Sequence, residues 1–143
     1  MKAIANACPR LEMWDVGYSQ GSGRGADGAL IEAAESFVNL TSIHTDMWHV
    51  TSYGIAHAAK AMGVQLLDLR ISNDCIYPNQ HYLSDAVLKF FSEFCPNLKH
   101  FEYLITSWYC YKEERDMLSG TGVTHLIRGC RHLEVLKLHS STI

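Results

Sequence analysis

Eight histidines, five cysteines and one glycine-rich hexapeptide are the parts of this chain from which chemistry could be built. A zinc centre draws on short paired spacings that let neighbouring side chains converge on one ion. No Cys-x-x-Cys or His-x-x-x-His pair occurs, and His44 and His49 stand five apart, so no metal ligand is expected. Gly23-Arg24-Gly25-Ala26-Asp27-Gly28 satisfies the G-x-G-x-x-G pattern of dinucleotide-binding turns. That chemistry requires the first glycine at a strand end, so that the following helix points its N-terminus at the pyrophosphate. Here Gly17 to Ser22 intervene after a strand ending near Val16, and the hexapeptide reads as a connection instead. Ser42, His44 and Asp15 are the residue types of a hydrolytic triad, but parallel strands bring such sets together by coincidence, and no nucleophile elbow occurs. No catalytic residue and no cofactor is expected. Asn39-Leu40-Thr41 matches a glycosylation sequon, yet Leu40 belongs to a hydrophobic pattern that explains it better.

That pattern is Leu-x-x-apolar-x-apolar, which recurs as Leu11/Trp14/Val16, Leu40/Ile43/Thr45, Leu66/Leu69/Ile71, Leu98/Phe101/Tyr103 and Leu133/Leu136/Leu138, with Thr45 alone breaking the apolar rule. The leading leucines are 29, 26, 32 and 35 residues apart. Leucine-rich repeats run ~20–29 residues, so the longer intervals leave room for loop insertions. Three residues before each leucine stand Cys8, Phe37, Gly63, Cys95 and Cys130, so three of the five cysteines share one position. Upstream lie segments such as Leu83 to Phe91 and Gly122 to Ile127, in which residues four apart share a helical face. Proline in Cys8-Pro9 and Cys95-Pro96 forbids the helix to continue, and Ser84-Asp85 and Thr51-Ser52 offer oxygens for capping helix starts. The last two apolar residues of each motif are two apart, which turns both toward one side of a strand. Each unit is thus predicted as helix, turn, strand. One unit cannot bury its apolar face alone, so the stack folds as a whole.

Cys8-Pro9-Arg10-Leu11, Cys95-Pro96-Asn97-Leu98 and Cys130-Arg131-His132-Leu133 resemble the cysteine-containing leucine-rich repeats of F-box proteins, and are similar to the ribonuclease-inhibitor type. The resemblance spans essentially the whole chain. It implies an α/β leucine-rich repeat solenoid, a right-handed α/β superhelix of about five repeats with a parallel concave sheet, over a single domain of residues 1–143. It further implies substrate recognition for an SCF-type (F-box) ubiquitin ligase, whose partners are a ubiquitination substrate and, through segments outside this chain, a cullin adaptor. The F-box itself is not found before Leu11; the chain opens inside a repeat helix at Lys2 to Ala5 and stops just after Leu138. It is therefore expected to be a fragment of a longer array, lacking caps and F-box. A non-catalytic scaffold within another multiprotein complex is the alternative expectation.

Composition sets the outer bounds. A chain of 143 residues with 48% hydrophobic content can bury one sizeable core without disulfides. Cys8, Cys95 and Cys130 are expected as buried, reduced thiols at helix ends, which suits a cytoplasmic or nuclear compartment. The net charge of −3 comes without a basic stripe, so neither nucleic acid nor membrane is an expected partner. Met1 to Cys8 ends in small residues like a signal peptide, but its apolar stretch is shorter than the ~7-residue minimum.

Strand alternation turns the residues between the buried pairs outward onto the concave sheet. The central outward row is Asp15, His44, Arg70, Glu102 and Lys137; the row before it contains Asp68 and His100. These seven are the predicted partner-binding residues, with Asp15 paired to His44 and Arg70 to Glu102 across adjacent strands. A second predicted contact is an aromatic rim, Tyr77 and Tyr82 after the third strand and Trp108, Tyr109 and Tyr111 after the fourth, because such side chains anchor interfaces.

Overall fold

The computed structural model describes residues 2–16, 26–47, 50–73, 83–105 and 118–140. Among them, helices and strands alternate: α1 (Lys2–Ala7), β1 (Met13–Val16), α2 (Ala26–Ser36), β2 (Ser42–Asp46), α3 (Ser52–Met62), β3 (Asp68–Asn73), α4 (Asp85–Phe94), β4 (His100–Ile105), α5 (Gly120–Gly129) and β5 (Val135–Ser140). A 3-10 turn, Gly63–Gln65, joins α3 to β3. The five strands form one parallel sheet in the order β1-β2-β3-β4-β5, and each helix from α2 to α5 packs on the one before it. The protein is therefore an α/β fold with one parallel sheet.

The five helix-to-strand turns are alike. In every one, the leading leucine donates its N–H to the carbonyl three residues earlier: Leu11 to Cys8, Leu40 to Phe37, Leu66 to Gly63, Leu98 to Cys95 and Leu133 to Cys130, at 3.1–3.3 Å. Gly63 sits at the end of α3 with φ of 54°, a left-handed conformation that costs a residue with a Cβ more than it costs glycine. That explains why the position held by cysteine in three of the other four turns is glycine here. One residue before the leucine, an amide side chain reaches back to the preceding turn: Asn39 Nδ2 donates to the Pro9 carbonyl (2.7 Å), Gln65 Nε2 to those of Val38 and Leu40 (2.7 and 2.9 Å), and Asn97 Nδ2 to that of Val64 (2.9 Å). One residue after the leucine, a single carbonyl takes two N–H groups from the next unit. The acceptors are Glu12, Thr41, Leu67 and Lys99, at 2.8–3.2 Å. These joints fix the register, which aligns Trp14, Ile43, Leu69, Phe101 and Leu136 across the sheet.

The core lies between the helix layer and one face of the sheet. In α3, Ile55, Ala58, Ala59 and Met62 recur on one side and are buried; in α4, Leu88 and Phe91 are. Phe91 meets Phe101 of β4 at 5.8 Å between ring centres, and Trp14 of β1 meets Phe37 at 5.7 Å. Burial of each such side chain contributes ~1.5–3 kcal/mol. Thr45 is buried despite its hydroxyl, whose Oγ1 lies 3.5 Å from the Asp46 carbonyl.

Three expectations are corrected. Cys95 and Cys130 are buried with their thiols toward the carbonyls of Ala59 and Phe91 in the preceding helices, but Cys8 is exposed, because α1 has no helix before it among the described residues. Leu138, expected to cover a helix, is 41% exposed where its neighbour Tyr103 is 3%, since β5 is paired on one side only. Ser84 occupies the position before α4 without a side-chain capping bond, whereas Thr51 does accept from Gly54 N (3.3 Å).

Candidate functional site

Strand burial alternates through β3 and β4, with Leu69, Ile71, Phe101 and Tyr103 buried and Asp68, Arg70, His100 and Glu102 half-buried on the opposite face. Register places Asp15, His44, Arg70, Glu102 and Lys137 in one line across all five strands, and Met13, Ser42, Asp68, His100 and Val135 in the line beside it. All seven residues predicted for this face are thus brought together.

Their contacts form a continuous chain. Asp15 Oδ2 lies 3.9 Å from His44 Nδ1, and His44 Nε2 lies 3.4 Å from Asp68 Oδ2. Asp68 Oδ1 is 3.7 Å from His100 Nδ1, and Lys137 Nζ donates to Glu102 Oε2 at 3.3 Å. His100 Nε2 is sealed from solvent and stands 3.3 Å from Glu102 Oε2, off the line of a hydrogen bond. Arg70 closes on Asp68 with two donors, Nε to Oδ1 at 3.1 Å and Nη2 to Oδ2 at 3.0 Å. The same Nη2 is 3.4 Å from His100 Nδ1. Arginine only donates, so this contact is a hydrogen bond in the neutral tautomer that carries its proton on Nε2.

The expected Arg70–Glu102 pair is therefore corrected: Arg70 bonds Asp68, two residues back on its own strand, and Glu102 bonds Lys137 instead. Side chains two apart share a strand face, and the long guanidinium fork reaches both carboxylate oxygens of the nearer acid at once. Asp68, not the central row alone, is the hub. His100 is largely enclosed, at 18% side-chain exposure. Burial pushes the Asp68 carboxyl up, but the hydrogen bonds from Arg70 and His44 and the nearby charges outweigh it and hold the group below the ordinary carboxylate range. Burial likewise opposes, and Lys137 and His100 overcome it, at Glu102. Asp68 in turn raises the affinity of Arg70 for its proton.

The rim residues Tyr77, Tyr82, Trp108, Tyr109 and Tyr111 lie outside the described residues, as do Gly23 and Gly25 of the glycine-rich hexapeptide. Its Asp27 is in α2, where the carboxylate accepts from Thr51 N (2.7 Å) and Thr51 Oγ1 (2.6 Å) at the start of α3. Asp85 does the same for α5, accepting from Ser119 N (2.8 Å) and Ser119 Oγ. In both cases a glycine three residues on, Gly54 or Gly122, leaves the space the carboxylate occupies; a Cβ there would collide with it. Sequence reasoning missed these two staples, although the spacing Thr51-x-x-Gly54 and Ser119-x-x-Gly122 was available to it.

Among the described residues no cluster of three or more His, Cys, Asp or Glu side chains is arranged to hold a metal ion, and no helix is long and apolar enough to cross a membrane. Comparison of the chain with protein-family models, with curated proteins and with solved structures returns no match.

Proposed function

We propose that this chain is a leucine-rich repeat solenoid whose concave sheet face binds a protein segment, acting without catalysis or cofactor as the substrate-recognition part of an F-box-type ubiquitin ligase in the cytoplasm or nucleus. The observation that carries the binding reading is the outward row of charge. Asp15, Arg70 and Lys137 keep 61, 43 and 56% of their side chains exposed, while the helices occupy the other face. Open sheets of stacked helix–strand units present extended surfaces suited to protein partners. Complementary charge on such a surface contributes register and specificity more than raw affinity. The five equivalent turns support the repeat reading, and the Cys-Pro-x-Leu motifs support the F-box likeness.

Affinity capture of the intact gene product from its own cells, with mass spectrometry, tests this. Recovery of a cullin with its adaptor, lost from neither wild type nor Arg70→Glu, together with a third protein lost only from Arg70→Glu, is the expected result. Stoichiometric recovery of a different assembly without a cullin would make the chain a scaffold subunit.

A further inference from the structure

We infer that the outward row is a proton-gated receptor for an acidic peptide segment seated across β3, β4 and β5. This rests on the open-face reading and adds the partner's charge and the condition for its uptake. Over these strands the accessible groups are cationic: Arg70 and Lys137 roof the carboxylates of Asp68 and Glu102, which are only 18 and 24% exposed. His139 of β5 is exposed along the same face. The accessible acid, Asp15, stands on β1 at the opposite edge. A segment crossing β3 to β5 therefore meets Arg70 and Lys137 first, and carboxylates on that segment match them.

The imidazoles set the balance. Asp15, His44, Asp68, His100 and Glu102 alternate carboxylate with ring, each neighbouring pair 3.3–3.9 Å apart. A neutral ring has one N–H for two flanking carboxylates, and an imidazolium has two. His44 faces Asp15 from β1, Asp68 and its register partner Arg70 from β3, and Asp46 from its own strand. His100 faces Asp68 and Arg70 from β3, Glu102 on its own strand, and Lys137 beyond it on β5. With both rings neutral, the four carboxylates Asp15, Asp46, Asp68 and Glu102 exceed the two permanent cations Arg70 and Lys137 by two charges. Protonating both rings cancels that excess. Histidines as a class change charge between pH 5 and 8, so acidification removes the negative excess that opposes an acidic segment beside Arg70 and Lys137.

The test is fluorescence anisotropy with a fluorescein-labelled octa-aspartate peptide at fixed ionic strength, and octa-lysine as the opposite-sign control. Octa-aspartate should bind about tenfold more tightly at pH 5.5 than at pH 7.5, within the span usual for coupled sites. In His44→Gln/His100→Gln that ratio should collapse; His44→Gln alone, expected to lose about half of it on a logarithmic scale, serves if the double variant does not fold. A double variant that keeps the ratio overturns the inference, as does tighter binding of octa-lysine at pH 5.5. Arg70→Glu/Lys137→Glu separates this from the underlying reading. Undiminished peptide binding there overturns the open-face assignment itself, whereas lost binding beside a ratio insensitive to the histidines overturns only the proton gate.

Discussion

Asp68 shows what a single residue contributes when three neighbours, His44, Arg70 and His100, converge on it. Its carboxyl and that of Glu102 hold their protons more weakly in the folded chain than ordinary carboxylates do. Such groups contribute stability that is complete above the unfolded carboxyl range, about pH 4, and is lost as pH falls through the lower folded value. Urea unfolding of Asp68→Asn between pH 6 and 2 should therefore show a shallower acid limb than wild type. Arg70→Glu puts a third carboxylate beside these two and removes the guanidinium; as an exposed site it should cost only about 1 kcal/mol, read from thermal unfolding, while abolishing capture of the partner. The membership of the row was legible in the sequence, because alternation along a strand is a geometric rule. Its pairing was not, because the choice of Asp68 over Glu102 depends on how far the Arg70 side chain bends back.

Between elements, the helices are held by staples that a sequence scan does not expose. Asp27 reaches Thr51 and Asp85 reaches Ser119 over separations of 24 and 34 residues, so the local Thr51-x-x-Gly54 and Ser119-x-x-Gly122 spacing marks the receiving end but not the acid. Gly54→Ala would normally help a helix by ~1 kcal/mol, but here the added methyl meets the Asp27 carboxylate. A loss of about 1–3 kcal/mol is expected by urea denaturation, and Asp27→Ala in the same chain should recover part of it, a non-additivity that contact between the two sites requires. Gly122→Ala with Asp85→Ala should repeat the pattern at α5. Helix existence was readable from the four-residue periodicity. The capping was only half readable, since Thr51 caps its own helix while Asp85, next to the expected Ser84, serves the helix after it.

For the molecule as a whole, the order of elements followed from five leucines whose turns turn out to be alike, because a hydrophobic pattern that repeats forces each unit to bury itself on the next. The pattern assigns Cys8 and Leu138 positions that are buried in its middle units, but each has a neighbour on one side only among the described residues and is exposed. Burial lifts the Cys95 thiol to about 12, with Cys130 nearby adding to the effect, and the Cys130 thiol to about 11. Alkylation at pH 8 followed by peptide mapping should modify Cys8 within the mixing time and reach Cys95 and Cys130 only as fast as the stack opens, since the thiolate is the reacting species. The doubled joints at Glu12, Thr41, Leu67 and Lys99 use main-chain carbonyls, and those four side chains have nothing in common. In genetic terms the fastening tolerates drift at its acceptors: Glu12, Thr41, Leu67 and Lys99 can change side chain without losing it, and only proline at a donor such as Ser42 or Asp68 removes one of its bonds.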